Sequence, residues 1–322
     1  MTCGVLALLC VSPASAATAK DDPAVTYPNR PVRVIVPFTP GGQPDIFARM
    51  IGEKLTQSLG QQIVVDNRAG AGGMTGSKTV AEATPDGYTL LSNSASHSIA
   101  PAVRKLPYDV IRDFAGISML YNAAYLLVVP PALAVKTTQE LVALAKAKPG
   151  QLNFASAGVG SGTHFAAEMF KYAAKIDIVH VAYKGIPEAI TDTMANRVQL
   201  FMAPLASSTG LVKEGKLRAL GATSPVRLPL NPEIPTIAEA GFPGFRWDSW
   251  GALFAPAKTP RAIVNRLNRE VVSILNQPDI QKRMRALGAE PAPTTPAELD
   301  KHVAQELAMV FKLAKAAGLE PQ

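Results

Sequence analysis

The sequence predicts an α/β protein of two lobes, each a mainly parallel sheet flanked by helices, with a ligand cleft between them. Three observations carry this. Short apolar runs alternate with segments of helical period twice over, within residues 30–91 and again within residues 125–223; this is the pattern of a parallel sheet with covering helices. One further strand-like run, residues 247–255, is followed only by helical segments. It cannot bury itself alone and is expected to return to the first unit. Finally, each half carries a glycine-rich turn at a strand-to-helix junction, residues 37–45 and 157–163. Ligands of open α/β sheets bind where such strand ends converge.

The first unit opens with a strand over residues 30–38, apolar from Val32 to Val36. Ile46, Met50, Ile51, Leu55 and Leu59 then recur at helical spacing, and Asp45 occupies the position expected of an N-cap. Arg49 and Glu53, four apart, are expected to pair on the exposed face of that helix. Residues 63–66 read as a second strand, 67–73 as a glycine-rich connection, 74–83 as a helix and 88–91 as a third strand. In the second unit, residues 125–129 form a strand, and Thr137 or Thr138 caps a helix running to Lys148. Residues 152–156 lead into the second turn, after which Phe165, Met169 and Tyr172 share one apolar helix face. Strands over 176–183, 198–202 and 217–223 frame a helix at 187–196, and residues 203–208 read as an exit loop. Helices at 260–276, 278–287 and 296–317 each open on a proline, which the first turn tolerates. No strand is expected after Ala255. These segments assign residues 26–121 and 248–322 to a discontinuous first lobe and 122–247 to the second. The chain would cross between them near residues 119–122 and 246–250.

The 322 residues, 48% hydrophobic and 18% charged, suit a globular protein with a sizeable core. The net charge is +7, but basic residues are scattered and aromatics make up only 6%. Neither a basic tail nor a basic–aromatic stripe is present, so no nucleic-acid partner is expected. Residues 1–16 carry no charged side chain, residues 5–11 are apolar, and Ala14-Ser15-Ala16 has the form of a cleavage site. A secretory signal lacking its positive start is expected, cleaved after Ala16 to give a periplasmic protein. Both cysteines, Cys3 and Cys10, fall within it. No later stretch approaches the roughly 20 apolar residues of a membrane span.

Gly41 and Gly42 let a ligand approach the main chain, and the amides and dipole of the helix that follows favour an anion. A plain proline–glycine turn capped by Asp45 accounts for the same residues. In the second turn Gly158, Gly160 and Gly162 alternate, and Ser161 and Thr163 add hydroxyls; a tight capping turn is the competing account. This is no dinucleotide fingerprint, because the third glycine comes one residue early. Nor is it a phosphate loop, because Thr163 stands where a lysine belongs. Finding one such turn in each half favours a two-sided carboxylate clamp. His164 and Glu168, four apart, have no second histidine nearby, so a local hydrogen bond is expected rather than a metal. His97 and His180 read as loop or core histidines, and His302 as a surface residue. No catalytic residue emerges: cysteine is absent after residue 16, and Val159 breaks the nucleophile-elbow pattern around Ser161. Ser94, Ser96 and His97 show no spacing that marks a triad. No cofactor and no enzymatic activity are expected. Tyr183 ends a strand on the cleft side and either lines the ligand or packs there. Ser94 and Ala203, at the exits of two other strands, complete the candidate set.

Taken in order, a series of motifs resembles the Bug-type receptors of tripartite tricarboxylate transporters. They include Val36-Pro37-Phe38-Thr39-Pro40-Gly41-Gly42-Gln43-Pro44-Asp45, Asp66-Asn67-Arg68-Ala69-Gly70-Ala71-Gly72-Gly73 and Pro85-Asp86-Gly87-Tyr88-Thr89-Leu90. Further along come Gly162-Thr163-His164, Val181-Ala182-Tyr183-Lys184-Gly185 and Pro235-Thr236-Ile237-Ala238-Glu239-Ala240-Gly241. The resemblance spans essentially the whole mature chain. It implies a type II periplasmic-binding-protein (Venus flytrap) fold and a monomer that closes on a carboxylated small molecule. It also implies delivery to the integral-membrane subunits of such a transporter. A periplasmic carboxylate sensor that signals to a membrane partner is the alternative. Carried over by motif, the ligand residues are Phe38, Thr39, Pro40, Gly41 and Gly42, with Asp45, on one lobe. On the other they are Ser156, Ala157, Gly158, Gly160, Ser161, Gly162 and Thr163, with His164 adjacent. An anion avoids a carboxylate, so Asp45 is expected to hold the turn rather than touch the ligand. Many relatives carry an aspartate where Met202-Ala203-Pro204 stands here. Dicarboxylates or aromatic acids are therefore expected over amino acids.

Overall fold

The computed structural model describes residues 26–321. The expected signal segment, its cleavage point and both cysteines lie outside them. Strand β1 (Val32–Val36) buries every side chain but that of Arg33. It is the middle of a parallel trio with β2 (Ile63–Asn67) and β3 (Thr89–Ser94). The second lobe repeats the arrangement. There β5 (Asn153–Ser156) lies between β6 (Val179–Ala182) and β7 (Leu200–Pro204), again parallel. A strand buried on both faces needs apolar side chains on each, and the central strand β1 is accordingly apolar at every position but Arg33.

What joins the trios is β4 (Phe114–Val129), sixteen residues long. Its first part, as far as Ala124, pairs antiparallel with β9 (Asp248–Pro256). From Tyr125 onward it pairs instead with β7 and with β8 (Arg218–Ala222). The sheet thus runs β2-β1-β3-β9-β4-β7-β5-β6 without a break. Parallel trios form its two wings, and antiparallel ladders form the crossing. The isolated apolar run near residue 250 does return to the first unit, lying between β3 and β4.

Helices cover the sheet. They are α1 (Gln43–Leu59), α2 (Met74–Ala81), α3 (Ser96–Val103), α4 (Thr138–Ala147), α5 (Gly162–Ala174), α6 (Ile186–Met194), α7 (Leu205–Lys213), α8 (Arg261–Leu275), α9 (Pro278–Ala286) and α10 (Pro296–Ala316). Of the two threonines, Thr137 is the cap of α4, accepting from Glu140 N. Thr295 and Glu298 form a reciprocal capping box on α10. Among the described residues no helix is long and apolar enough to cross a membrane.

Several local expectations are corrected. Asp45 is the third residue of α1, and Gly42 is the N-cap. Arg49 pairs with Asp45 rather than Glu53, while Glu53 meets Arg283. Residues 205–208 open a helix instead of an exit loop, and residues 96–103 form a helix that no apolar period announced. A strand does follow Ala255: β10 (Ala289–Pro291) pairs with β4. Three residues are too few for a periodic signal, so β10 exists only because β4 offers an edge. Tyr172 is 56% exposed, off the buried face of α5. His302 is half-buried, its ring 5.2 Å from that of Trp250.

Candidate functional site

The two central strands, β1 and β5, end on the same cleft, and each feeds a helix whose N-terminus faces it. At the first turn the chain leaves β1 through Pro37 and Phe38 and enters α1 at Gly42. Gly41 takes φ +91°, the left-handed region that favours glycine. Its N–H donates to Asp45 Oδ2 at 3.0 Å. Asp45 is buried and also binds Arg49 at 2.9 Å. Its carboxyl is held below the usual range against the opposing effect of burial, by the bonds from Arg49, Gly41 and Asn67. Asp45 therefore spends its charge inside the turn. Asn67 Nδ2 donates to the Phe38 carbonyl at 3.1 Å and anchors the other side.

The second turn is tied by its own side chains. Ser161 caps α5, accepting from His164 N, and lies 3.1 Å from the Thr163 hydroxyl. Thr163 Oγ1 accepts from Ala157 N at 3.0 Å. Ser156 Oγ accepts from Gly158 N and sits 2.6 Å from His180 Nε2. The His180 ring stacks on Phe154 at 4.8 Å and meets the His164 ring, tilted, at 4.3 Å. Burial pushes His164 down to about 3 and His180 down to about 4, so both are neutral supports at neutral pH. His164 Nε2 stands 3.9 Å from Glu168 Oε1, too far for the expected hydrogen bond, and the neutral ring makes no ion pair.

A cavity lies between the turns. It is lined by Phe38, Gly42, Gln43, Pro44 and Ser94 from the first lobe's elements, and by Ala157, Ser161, Gly162, Thr163, Ile186 and Pro204 from the second's. Tyr125 and Ser249 line it from the crossing strands. No lining residue is charged. The space open to the centre of a water-sized sphere is about 30 Å³, room for one or two waters. The lobes are closed on each other. Thr39 Oγ1 meets Glu188 Oε2 at 3.1 Å and Ser207 Oγ donates to the Gly41 carbonyl at 3.2 Å. Phe38 joins the apolar cluster of Ile186, Ala203 and Leu205. Gly72, in the turn after β2, lies directly against Gly158 and Val159. Roomier grooves open elsewhere, one of about 610 Å³ beside Arg218 and Arg227. Both arginines there are already engaged, Arg227 with Glu239 and Arg218 with the Leu133 and Val135 carbonyls.

Of the residues expected at the ligand, Phe38, Gly42, Ser94, Ala157, Ser161, Gly162 and Thr163 line this cavity. Thr39 stands at the lobe junction. Pro40 and Gly41 are exposed. Asp45, Ser156 and His164 stand behind the turns as supports, and Gly158 and Gly160 pack on Gly72 and Ala100. Tyr183 does not line the cavity, because its hydroxyl donates to Asp192 at 2.8 Å. Ala203 is buried one residue short of it, and Pro204 takes the lining position. Gln43, Tyr125 and Ser249 were not expected. Gln43 sat in plain view between Gly42 and Asp45, but a polar residue at a helix start reads as exposed.

A family model described as "Tripartite tricarboxylate transporter family receptor" matches residues 47–319. Three solved structures are similar throughout. The periplasmic binding protein BugD is 33% identical, with a TM-score of 0.89 over 92% of this chain and 100% of that one. Rpa4515 of R. palustris, solved with adipate, is 34% identical, with a TM-score of 0.89 over 92% and 100%. MatC from Rhodopseudomonas palustris, solved with malate, is 32% identical, with a TM-score of 0.86 over 89% and 99%. The match in sequence and the shared two-lobed architecture give one conclusion: this chain belongs to the tripartite tricarboxylate transporter receptor family, as a Bug-type solute-binding protein.

Proposed function

We propose that this protein captures a small organic acid between its two glycine-rich turns by hinge closure and delivers it to the membrane subunits of a tripartite tricarboxylate-type transporter. One observation carries the reading. The N-termini of α1 and α5, from opposite lobes, converge on a cavity that no charged side chain lines. The positive ends of two helix dipoles, with unpaired amides, are what such a site offers an anion. Carboxylates as ligands are supported by the adipate and malate found in its relatives. The cavity of the closed form is too small for such an acid to enter, so the lobes open first. Residues 26–121 with 248–322, and residues 122–247, are the two bodies that move, about β4 and β9. The protein works as an exported monomer, cleaved after Ala16, and turns nothing over.

A thermal-shift screen against adipate, malate, benzoate and other small acids tests this. A ligand present at 100 times its dissociation constant adds about 2.7 kcal/mol of stability. A melt that no carboxylate shifts overturns the reading, and so does steady consumption of a bound acid.

A further inference from the structure

We propose that Gln43 is a ligand-contacting, selectivity-determining residue whose side-chain amide donates a hydrogen bond to an acceptor oxygen of the bound acid. The proposal rests on the carboxylate-receptor reading above and adds to it a side chain of the first turn beside the backbone groups of the clamp.

Gln43 is the first residue of α1 and only 2% exposed. Its side chain is held at one end. Oε1 accepts from Ser249 Oγ at 3.2 Å, and Ser249 is also a hydrogen-bond partner of the Tyr125 hydroxyl. This short network links the two crossing strands to the start of α1. The backbone beside it is pinned as well, since the Pro44 carbonyl accepts from Ser92 Oγ at 3.1 Å. The other end is free. Gln43 Nε2 is buried and has no hydrogen-bond partner.

An unpaired buried donor costs more than a typical hydrogen bond returns. Gln43 and Ser249 both border the cleft cavity, so the unpaired donor belongs to a residue of its wall. With Ser249 Oγ donating to Oε1, the N–H end of the amide is the one left for a ligand. A ligand oxygen there is met by N–H, whereas an ammonium group would face a donor and be rejected. With no charged side chain in the lining, a neutral donor at this point recognises a carboxylate, keto or hydroxyl oxygen. It discriminates by leaving its own N–H unpaired when the ligand has none of these.

The test uses the full mature protein, titrated calorimetrically with adipate, malate and benzoate. Gln43→Met keeps the length and removes the donor. Its affinity for the tightest wild-type binder is expected to fall about ten- to a hundredfold, as for a hydrogen bond to a charged group, with the free protein melting as wild type does. Gln43→Glu supplies a readout that a structural role would not move. It is expected to bind poorly at pH 8 and to regain affinity at pH 5, because only the protonated carboxyl can donate; wild type at both values is the control. This contrast stands even if Gln43→Met fails to fold. Wild-type affinity in Gln43→Met, or no pH contrast in Gln43→Glu, overturns the role of Gln43 alone. A wild-type protein that binds none of the acids overturns the receptor reading and this proposal with it.

Discussion

Gly185 is where closure of the lobes can be tested with one methyl group. It precedes α6 with φ −172°, extended backbone open to any residue, so alanine there brings no conformational strain. A Cβ at Gly185 would, however, fall 1.8 Å from Thr39 Oγ1 and 3.0 Å from Thr39 Cβ, across the lobe junction. Thr39 must rotate, which breaks its hydrogen bond to Glu188. The lost bond is worth about 0.5–1.5 kcal/mol and the forced rotamer about 0.5–1.5 kcal/mol. The sum, about 1–3 kcal/mol, falls only on the closed form. A ligand that binds by closing the lobes must overcome it, so Gly185→Ala should weaken binding about 5- to 150-fold. Calorimetric titration with the tightest-binding acid measures the effect, and chemical denaturation of the free protein checks that each lobe still folds. Thr39→Ala removes the oxygen in the way, so the cost of Gly185→Ala should shrink in that background. Wild-type affinity in Gly185→Ala, or an undiminished cost in the double variant, would mean that the lobes do not meet here when ligand is bound.

Two further outcomes follow from packing and charge. Gly72→Ala should impair binding more than Gly185→Ala, because its Cβ would lie 1.9 Å from the Val159 carbonyl oxygen, a backbone atom that no rotamer change can remove; equal affinities in the two variants would contradict this. Glu306 is buried in α10 with both oxygens accepting from Trp250 Nε1 at 2.9 Å, and burial raises its carboxyl to about 7. The native state therefore holds this proton more tightly than the unfolded chain does. Stability should be full below pH 4.5 as far as this group is concerned, and fall by about 3 kcal/mol as pH rises past 7. Glu306→Gln keeps the acceptor and removes the ionisation, so its urea midpoint should exceed that of wild type at pH 8; parallel midpoints between pH 5 and pH 8 would refute the assignment.

The alternation of Val32 to Val36 with the helical spacing of Met50, Ile51 and Leu55 was enough to read the parallel wings and the strand-to-helix turns. That information is local: period and glycine placement act within a few residues. It sufficed to mark Gly42, Ser161, Gly162 and Thr163, and the family resemblance added Phe38; all five border the cavity. What it did not contain is which neighbour each group meets. Tyr183 ends its strand near the cleft, yet Asp192, nine residues on, takes its hydroxyl. Gly72 belongs to the turn after β2 and becomes a lobe contact only because Val159 arrives opposite it. Gln43 looks like any polar residue at a helix start until Ser249, 206 residues away in sequence, takes one end of its amide and leaves the other unpaired. Periodicity specifies the elements, but burial and hydrogen-bond satisfaction are properties of juxtaposition. They come into being when β4 and β9 bring the two wings face to face.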